Sequence, residues 1–187
     1  NLNDEVIRFG KLLNNLNALK QIESDEIVLK LGLVNIEELL CAVVSDFSIA
    51  ANENNVNLIM NREENKDLVV LGDYDKLKQV FINLISNGIK FNNTNGTVWV
   101  NMSSNEDSVI VEIKDNGIGI KKEDLPYIFE RMYRGDKSRH KIEGSGIGLT
   151  MVKKILTLHS ATIDLESKEN KGATFTVRIN KSDKINW

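Results

Sequence analysis

Asp115-Asn116-Gly117-Ile118-Gly119 follows the apolar run Val109–Ile113, and Gly144-Ser145-Gly146-Ile147-Gly148 leads into the apolar-periodic segment Ile147–Leu158. The first stretch puts a carboxylate at the end of a strand. Two glycines spaced by one residue follow it, and without Cβ atoms they let backbone come close to a ligand. The second stretch puts glycines ahead of a helix N-terminus, where free N–H groups and the helix dipole favour an anion. Between them Arg134–Gly144 is charged, glycine-flanked and without apolar period, which predicts a mobile loop. A strand-borne carboxylate, a loop and a helix-borne anion site together predict an α/β domain with a ligand at its edge.

Outward from this centre, Asn95-Gly96 is a turn signal. Thr97–Met102 and Val109–Lys114 fit a hairpin whose polar turn is Ser103–Ser108. Asp73 is a good N-cap for a helix running to about Asn92, and Asn35 can cap another over roughly 36–54. The latter shows Ile36, Leu39, Leu40, Val43, Val44 and Phe47 on one face. Ile27–Leu33, Val56–Met60, Leu68–Leu71, Ala161–Glu166 and Ala173–Ile179 read as strands. Lys121–Tyr133 reads as a short helix containing Pro126, the sole proline. This order predicts a mixed sheet covered on one face by helices. Near the start, Leu2, Val6, Phe9, Leu13 and Leu16, with Leu12 and Leu19, recur at spacings of three and four. That is a helix over 1–23 with a seam for a partner helix, or one packed on its own domain. Ser24-Asp25-Glu26 breaks the pattern and is the best candidate linker.

In the helix from Asp73, Leu77, Phe81, Leu84 and Gly88 form an apolar stripe bordered by Val80 and Ile85. Asn83, Asn87 and Lys90 fall at i, i+4 and i+7, on a second face roughly 110–120° away at about 100° per residue. A solvated polar face would look the same. So would a site in which one Asn oxygen ligates Mg²⁺, which keeps waters and phosphates as its other ligands, while Lys90 meets a phosphate. Asp115 likewise is either an ordinary Asp-Asn-Gly turn or the acceptor for an adenine exocyclic amine. A Rossmann fingerprint is excluded because the later glycines follow a charged loop, not a strand; a P-loop is excluded because no Gly-Lys-Ser/Thr occurs. In this order and with these gaps, the pieces describe an ATP pocket.

The 187 residues hold one good-sized domain plus an extra element, or two small domains. A net charge of −3 gives no reason to propose nucleic acid, which needs a basic face. No apolar run approaches the roughly 20 residues that span a bilayer. The one cysteine, Cys41, sits in the apolar run Leu39–Val44 and reads as a buried thiol. Of the two histidines, His140 falls in the charged loop and His159 at a helix end, where it can cap carbonyls. The chain opens at Asn1 inside a helical pattern and reads as a fragment of something longer.

These residues carry a family resemblance. Asn83-Leu84-Ile85-Ser86-Asn87-Gly88-Ile89-Lys90-Phe91 resembles the N box of the ATP-binding catalytic domain of bacterial sensor histidine kinases, in the superfamily that also holds gyrase, MutL and heat-shock chaperone ATPases. Asp115–Ile120 is similar to the first glycine box, Phe129–Arg134 to the F box, Gly144–Leu149 to the second glycine box and Gly172–Phe175 to the last. Gly88, Met132 and Ala173 stand where Ala, Phe, and Thr or Ser are common. The resemblance covers roughly 27–181. It implies a two-layer α/β sandwich, the Bergerat ATP-binding fold, preceded by one long helix, with a lid between the F box and the second glycine box.

For the site, the resemblance implies a catalytic face of Asn83, Asn87 and Lys90, with Asn87 on Mg²⁺. It implies ATP contacts from Asn87, Lys90, Asp115, Gly117, Gly119, Arg134, Gly144, Gly146, Ile147, Gly148, Leu149 and Thr174. The superfamily's hydrolases carry a Glu where this chain has Asn83. An amide cannot serve as a general base near neutral pH, which favours transfer to a protein acceptor over hydrolysis. The implied organisation is the second helix of a dimerisation and phosphoacceptor hairpin over 1–23, a linker and first strand over 24–34, the catalytic domain over 35–181 and a tail over 182–187. The implied partners are ATP, a response-regulator receiver domain and a second copy paired through the hairpin. The implied setting is the cytoplasmic portion of a protein anchored in the plasma membrane by other segments. A degenerate nucleotide-binding signalling module, or another ATPase of the superfamily, stays open as the alternative.

Overall fold

The computed structural model describes residues 27–63, 67–130, 133 and 146–181, together with Lys20. The helix and linker expected before residue 27, the charged loop 134–145 and the tail 182–187 lie outside the described residues, apart from Lys20, which is helical and exposed.

Asn35 and Asp73 act as the caps their chemistry predicts. Asn35 ends β1 (Gly32–Asn35), and its Oδ1 accepts from the N–H groups of Glu37 and Glu38 in the first turn of α1 (Ile36–Glu53). After β2 (Asn57–Arg62) and β3 (Val69–Gly72), Asp73 Oδ1 accepts from Lys76 N–H and opens α2 (Tyr74–Lys90). The hairpin β4 (Thr97–Ser104) and β5 (Ser108–Asp115) follows, entered through Asn95 at φ +62°. Helix α3 (Gly148–Leu158) precedes β6 (Thr162–Ser167) and β7 (Ala173–Asn180).

Five strands form a mixed sheet in the order β2-β4-β5-β7-β6, with β2 parallel to β4 and every other pair antiparallel. Strict alternation turns Val98, Val100 and Met102 of β4, Val109, Val111 and Ile113 of β5, and Phe175, Val177 and Ile179 of β7 to one buried face. The three helices cover that face with Leu39, Leu40, Val43, Leu77, Phe81, Leu84, Met151, Val152 and Ile155. The other face is mixed: it carries Ile59, Trp99 and Ile110, and a polar row in which Asn61 donates to Asn101, and Asn101 to Glu112, across three adjacent strands. This is the expected two-layer α/β sandwich. A separate antiparallel ribbon, β1 with β3, lies outside the main sheet.

Three local expectations need correction. Lys121–Tyr133 is not an α-helix in its described part. Its backbone bonds run from Asp124 to Lys121, Tyr127 to Asp124 and Glu130 to Tyr127, as successive three-residue turns. Pro126 has no N–H to donate to a four-residue ladder. The first strand is shorter than Ile27–Leu33, because Lys30 N–H donates to the Asp73 carboxylate (2.8 Å) instead of to a neighbouring strand. Cys41 is exposed. The buried positions of α1 are Ile36, Leu39, Leu40, Val43 and Ala51, and Cys41 falls off that helical stripe although it belongs to a continuous apolar run.

Candidate functional site

Helix α2 organises the site. Its buried stripe, Leu77, Val80, Phe81, Leu84, Ile85 and Gly88, sits on the sheet and leaves Asn83, Asn87 and Lys90 half-buried at the margin. Gly88 is where the helix comes down hardest. A Cβ there would stand 3.2 Å from Val98 Cγ2 and 3.9 Å from the Asp115 Cβ. The helical cost of glycine, about 0.5–1 kcal/mol relative to alanine, is the cost of that approach.

Asp115 is the last residue of β5 and is 9% exposed. Its Oδ1 accepts from Gly117 N–H (2.8 Å) and from Ala173 N–H (3.3 Å). Among the described residues these hydrogen bonds engage Oδ1 only, so Oδ2 keeps its capacity for an outside donor. Burial pushes the carboxyl above the usual carboxylate range, and the two N–H donors offset this in part. The loop around it is braced at every step. Asn116 Oδ1 accepts from Thr97 N–H (2.7 Å), Ile118 N–H donates to Phe91 O (3.1 Å), and Asn170 N–H donates to Ile118 O (2.7 Å). A Cβ on Gly117 would lie 2.3 Å from the Phe91 carbonyl oxygen, and one on Gly119 (φ +63°) 2.1 Å from that of Lys168. Contact with the protein's own backbone therefore demands both glycines.

At the other end of the polar face, Asn83 Nδ2 donates to Gln79 O (2.9 Å), which aims Oδ1 at the start of α3. A Cβ on Gly148 would lie 2.7 Å from that oxygen. Among the described residues no side chain caps α3, and Gly146 holds φ +68°. One helix face thus runs from the carboxylate beside Gly88 to the uncapped helix N-terminus beside Asn83, with Asn87 between. Among the described residues no hydrogen bond engages the Asn87 side chain. Lys90 Nζ lies 5.3 Å from the Phe91 ring centroid.

The structure sets Asn83, Asn87 and Lys90 on one margin of α2, Asp115 and Gly117 at its C-terminal end and Gly148 against Asn83, while Gly119 packs on the Lys168–Gly172 turn. Ile147 is buried in the core and Leu149 packs against it. Thr174 does not join them. Alternation along β7 turns it to the outer face, across from Lys114 and Glu166. The contact to Asp115 comes from its neighbour's backbone, Ala173 N–H. Arg134 and Gly144 lie outside the described residues. Gly172, legible in the sequence only as part of the last glycine box, holds φ +86° with no room for a Cβ, which would stand 1.9 Å from Asp115 O. One contact had no sequence signal. Thr150 Oγ1 donates to Glu130 O (3.0 Å), clipping the turn segment to the first turn of α3.

His159 is a C-cap, and more. Its Nδ1 bonds Ile155 O (2.8 Å), while Nε2 accepts from Asp73 N–H (3.0 Å). The chain's other end of α2 is thereby tied to the end of α3.

The chain belongs to the histidine kinase-, DNA gyrase B- and HSP90-like ATPase family, whose model matches residues 72–183. Within that family its relatives are sensor histidine kinases, and its ATP-binding domain is of their catalytic type. It is 31% identical to the sensor histidine kinase YclK and 32% identical to WalK, both of Bacillus subtilis, over 95% and 98% of its own length. It spans 37% and 31% of those two proteins, about a third of each. The nucleotide-free catalytic domain of the histidine kinase ThkA matches with a TM-score of 0.71 at 28% identity, over 82% of this chain and 97% of that one. ThkA in complex with the response regulator TrrA matches with a TM-score of 0.75 at 27% identity, over 96% of this chain and 51% of that one.

Proposed function

We propose that the whole protein transfers the γ-phosphoryl group of ATP to a histidine outside the described residues, for relay to a response-regulator receiver domain. The observation that carries this reading is the single α2 face joining Asp115, Asn87 and the uncapped α3 N-terminus. Asp115 Oδ2 takes the adenine amine. The phosphates lie toward Gly146, Gly148 and Lys90, where N–H groups and a cation offset their charge. Arg134 and Gly144, in a lid over 134–144, complete the phosphate side.

Asn87 is the Mg²⁺ ligand. Among the described residues no cluster of three His, Cys, Asp or Glu could hold a metal, so the donor set is one amide oxygen supplemented by phosphate and water, which suits a hard cation. Magnesium supplies neutralisation of charge on the phosphates. Asn83 offers no base to activate water, and a neutral imidazole needs none to attack. The γ-phosphorus–oxygen bond breaks with ADP leaving, a phosphorus–nitrogen bond forms, and the imidazole proton is lost to solvent. Catalysis then rests on position and charge. His159 is no acceptor, because both its ring nitrogens are engaged and it is buried.

In this reading residues 1–23 are the second helix of a dimerisation hairpin, 24–34 lead into the domain at 35–181, and 182–187 are a tail. The acceptor stands on the hairpin's first helix, two copies pair through the hairpin, and the parent is held at the plasma membrane with this portion on the cytoplasmic side. No helix among the described residues is long and apolar enough to cross a membrane. The test is γ-labelled ATP given to this chain with and without a polypeptide supplying an upstream histidine-bearing helix. Acid-labile, base-stable label on the added helix is expected. Label on His159, or ATP binding without transfer to any supplied helix, would overturn the kinase reading, the latter in favour of a non-catalytic module.

A further inference from the structure

Ser167, the last residue of β6, is engaged through its hydroxyl in two directions. Its Oγ accepts from Ile120 N–H (2.9 Å) and donates to Gly172 O (2.8 Å). Gly172 O and Ala173 N–H belong to one peptide unit. That unit is planar, so fixing the direction of its carbonyl fixes the direction of its N–H. The Ala173 N–H donates to Asp115 Oδ1 (3.3 Å). A relay therefore runs from Ile120 through the Ser167 hydroxyl and the Gly172–Ala173 peptide to the Asp115 carboxylate. It joins the two ends of the glycine loop 115–120.

The hydroxyl is not needed to close its own hairpin. Lys168 N–H already donates to Gly172 O (3.3 Å), and Ser167 is already paired with Ala173 in the β6–β7 ladder. Its bond from Ile120 instead leaves the hairpin and reaches the loop. The same peptide is pressed between two parts of that loop. A Cβ on Gly119 would stand 3.1 Å from Gly172 O, and a Cβ on Gly172 would stand 1.9 Å from Asp115 O. The Asp115 carboxylate turns about a soft terminal torsion. The Gly117 and Ala173 N–H groups on Oδ1 therefore decide where Oδ2 points. Hydrogen bonds in series also polarise one another, so Ala173 N–H is the better donor while its carbonyl partner is engaged.

We propose that Ser167 is a positioning residue for adenine recognition, setting the direction of Asp115 Oδ2 through the Gly172–Ala173 peptide. This inference rests on the reading in which Asp115 Oδ2 takes the adenine amine. Ser167 acts through Asp115 and needs no contact with the nucleotide. Its influence falls on the amine-bearing edge of the base and leaves the phosphates, which lie toward Gly146, Gly148 and Lys90, untouched.

The test titrates the full chain calorimetrically with a non-hydrolysable ATP analogue and with the matching analogue of purine riboside, which lacks the exocyclic amine. Wild type should favour the ATP analogue. Ser167→Ala should lose about tenfold of that preference, with affinity for the amine-free analogue unchanged. Ser167→Thr keeps the hydroxyl and suits a strand, so it should hold the wild-type ratio. Ser167→Cys is close to serine in size with a weaker donor and should fall between wild type and alanine. It carries the same comparison where the alanine variant does not fold. A wild-type ratio in Ser167→Ala overturns the proposal. So does an equal loss for both nucleotides, which would make Ser167 a brace for the whole pocket. A wild type that binds both analogues equally removes the adenine reading of Asp115 itself, a result distinct from a ratio that Ser167 fails to move.

Discussion

Asp73 and His159, 86 residues apart, meet in a buried hydrogen bond in which the Asp73 backbone N–H donates to His159 Nε2 at 3.0 Å. With Nε2 accepting, Nδ1 is the ring nitrogen that faces Ile155 O as donor. Replacing His159 by Leu leaves a buried N–H unpaired and should cost about 1–3 kcal/mol. His159→Gln keeps an acceptor within reach and should cost less. Urea denaturation of the two variants checks this; equal losses would mean that packing, and not the hydrogen bond, holds the ends of α2 and α3 together.

Asp115→Asn separates recognition from folding more cleanly than Asp115→Ala, which would strip the acceptor from Gly117 and Ala173. The variant should lose about 1.5–3 kcal/mol of adenine-nucleotide affinity, the worth of a hydrogen bond to a charged group, and with it any preference for ATP over GTP analogues. Calorimetric titration with both analogues reads this directly. A wild type that binds the two equally well would remove Asp115 from adenine recognition.

The same substitution has a pH signature. Burial raises the Asp115 pKa above its ordinary 3.8, against the pull of the Gly117 and Ala173 N–H groups. The folded state then binds this proton more tightly than the unfolded state. That contribution is present below about 3.8 and is lost as pH rises through the raised folded value. At neutral pH the unliganded Asp115→Asn chain should match or exceed wild type in stability, and its advantage should shrink toward pH 4. Urea unfolding at both pH values is the measurement. An advantage that grows on acidification would show that the N–H donors, not burial, dominate.

Asn87→Ala should leave stability within about 0.5 kcal/mol, since the side chain has no hydrogen-bond partner among the described residues. Nucleotide binding should lose its Mg²⁺ dependence. Titration with an ATP analogue, with and without Mg²⁺, reads it, and an unchanged Mg²⁺ effect would reassign the metal.

Gly172→Ala should be among the most damaging single methyl additions in the domain. Positive φ alone costs of order 1–3 kcal/mol for a constrained residue, and the added methyl would also strike the Asp115 carbonyl. Thermal unfolding should show the loss, and nucleotide affinity should fall with it. A variant that keeps wild-type stability would mean that the Asp115 loop can shift freely.

Much of the domain was legible because its signals are local. Asn35 and Asp73 cap helices with side chains that reach two or three residues on. The hairpin strands alternate with period two, and the N-box amides recur at helical spacing. Residue choice and order were therefore enough to name the fold, the family and the polar margin of α2. Helix rotation and strand register were not legible. Cys41 lay in an apolar run yet turned outward, and Thr174 sat in a glycine box yet fell on the far face while Ala173 N–H reached Asp115. The bonds from Asp115 to Ala173 and from Asp73 to His159 join residues 58 and 86 apart. Which backbone group arrives at such a distance depends on how the helices and strands pack, and no local pattern in the chain encodes it.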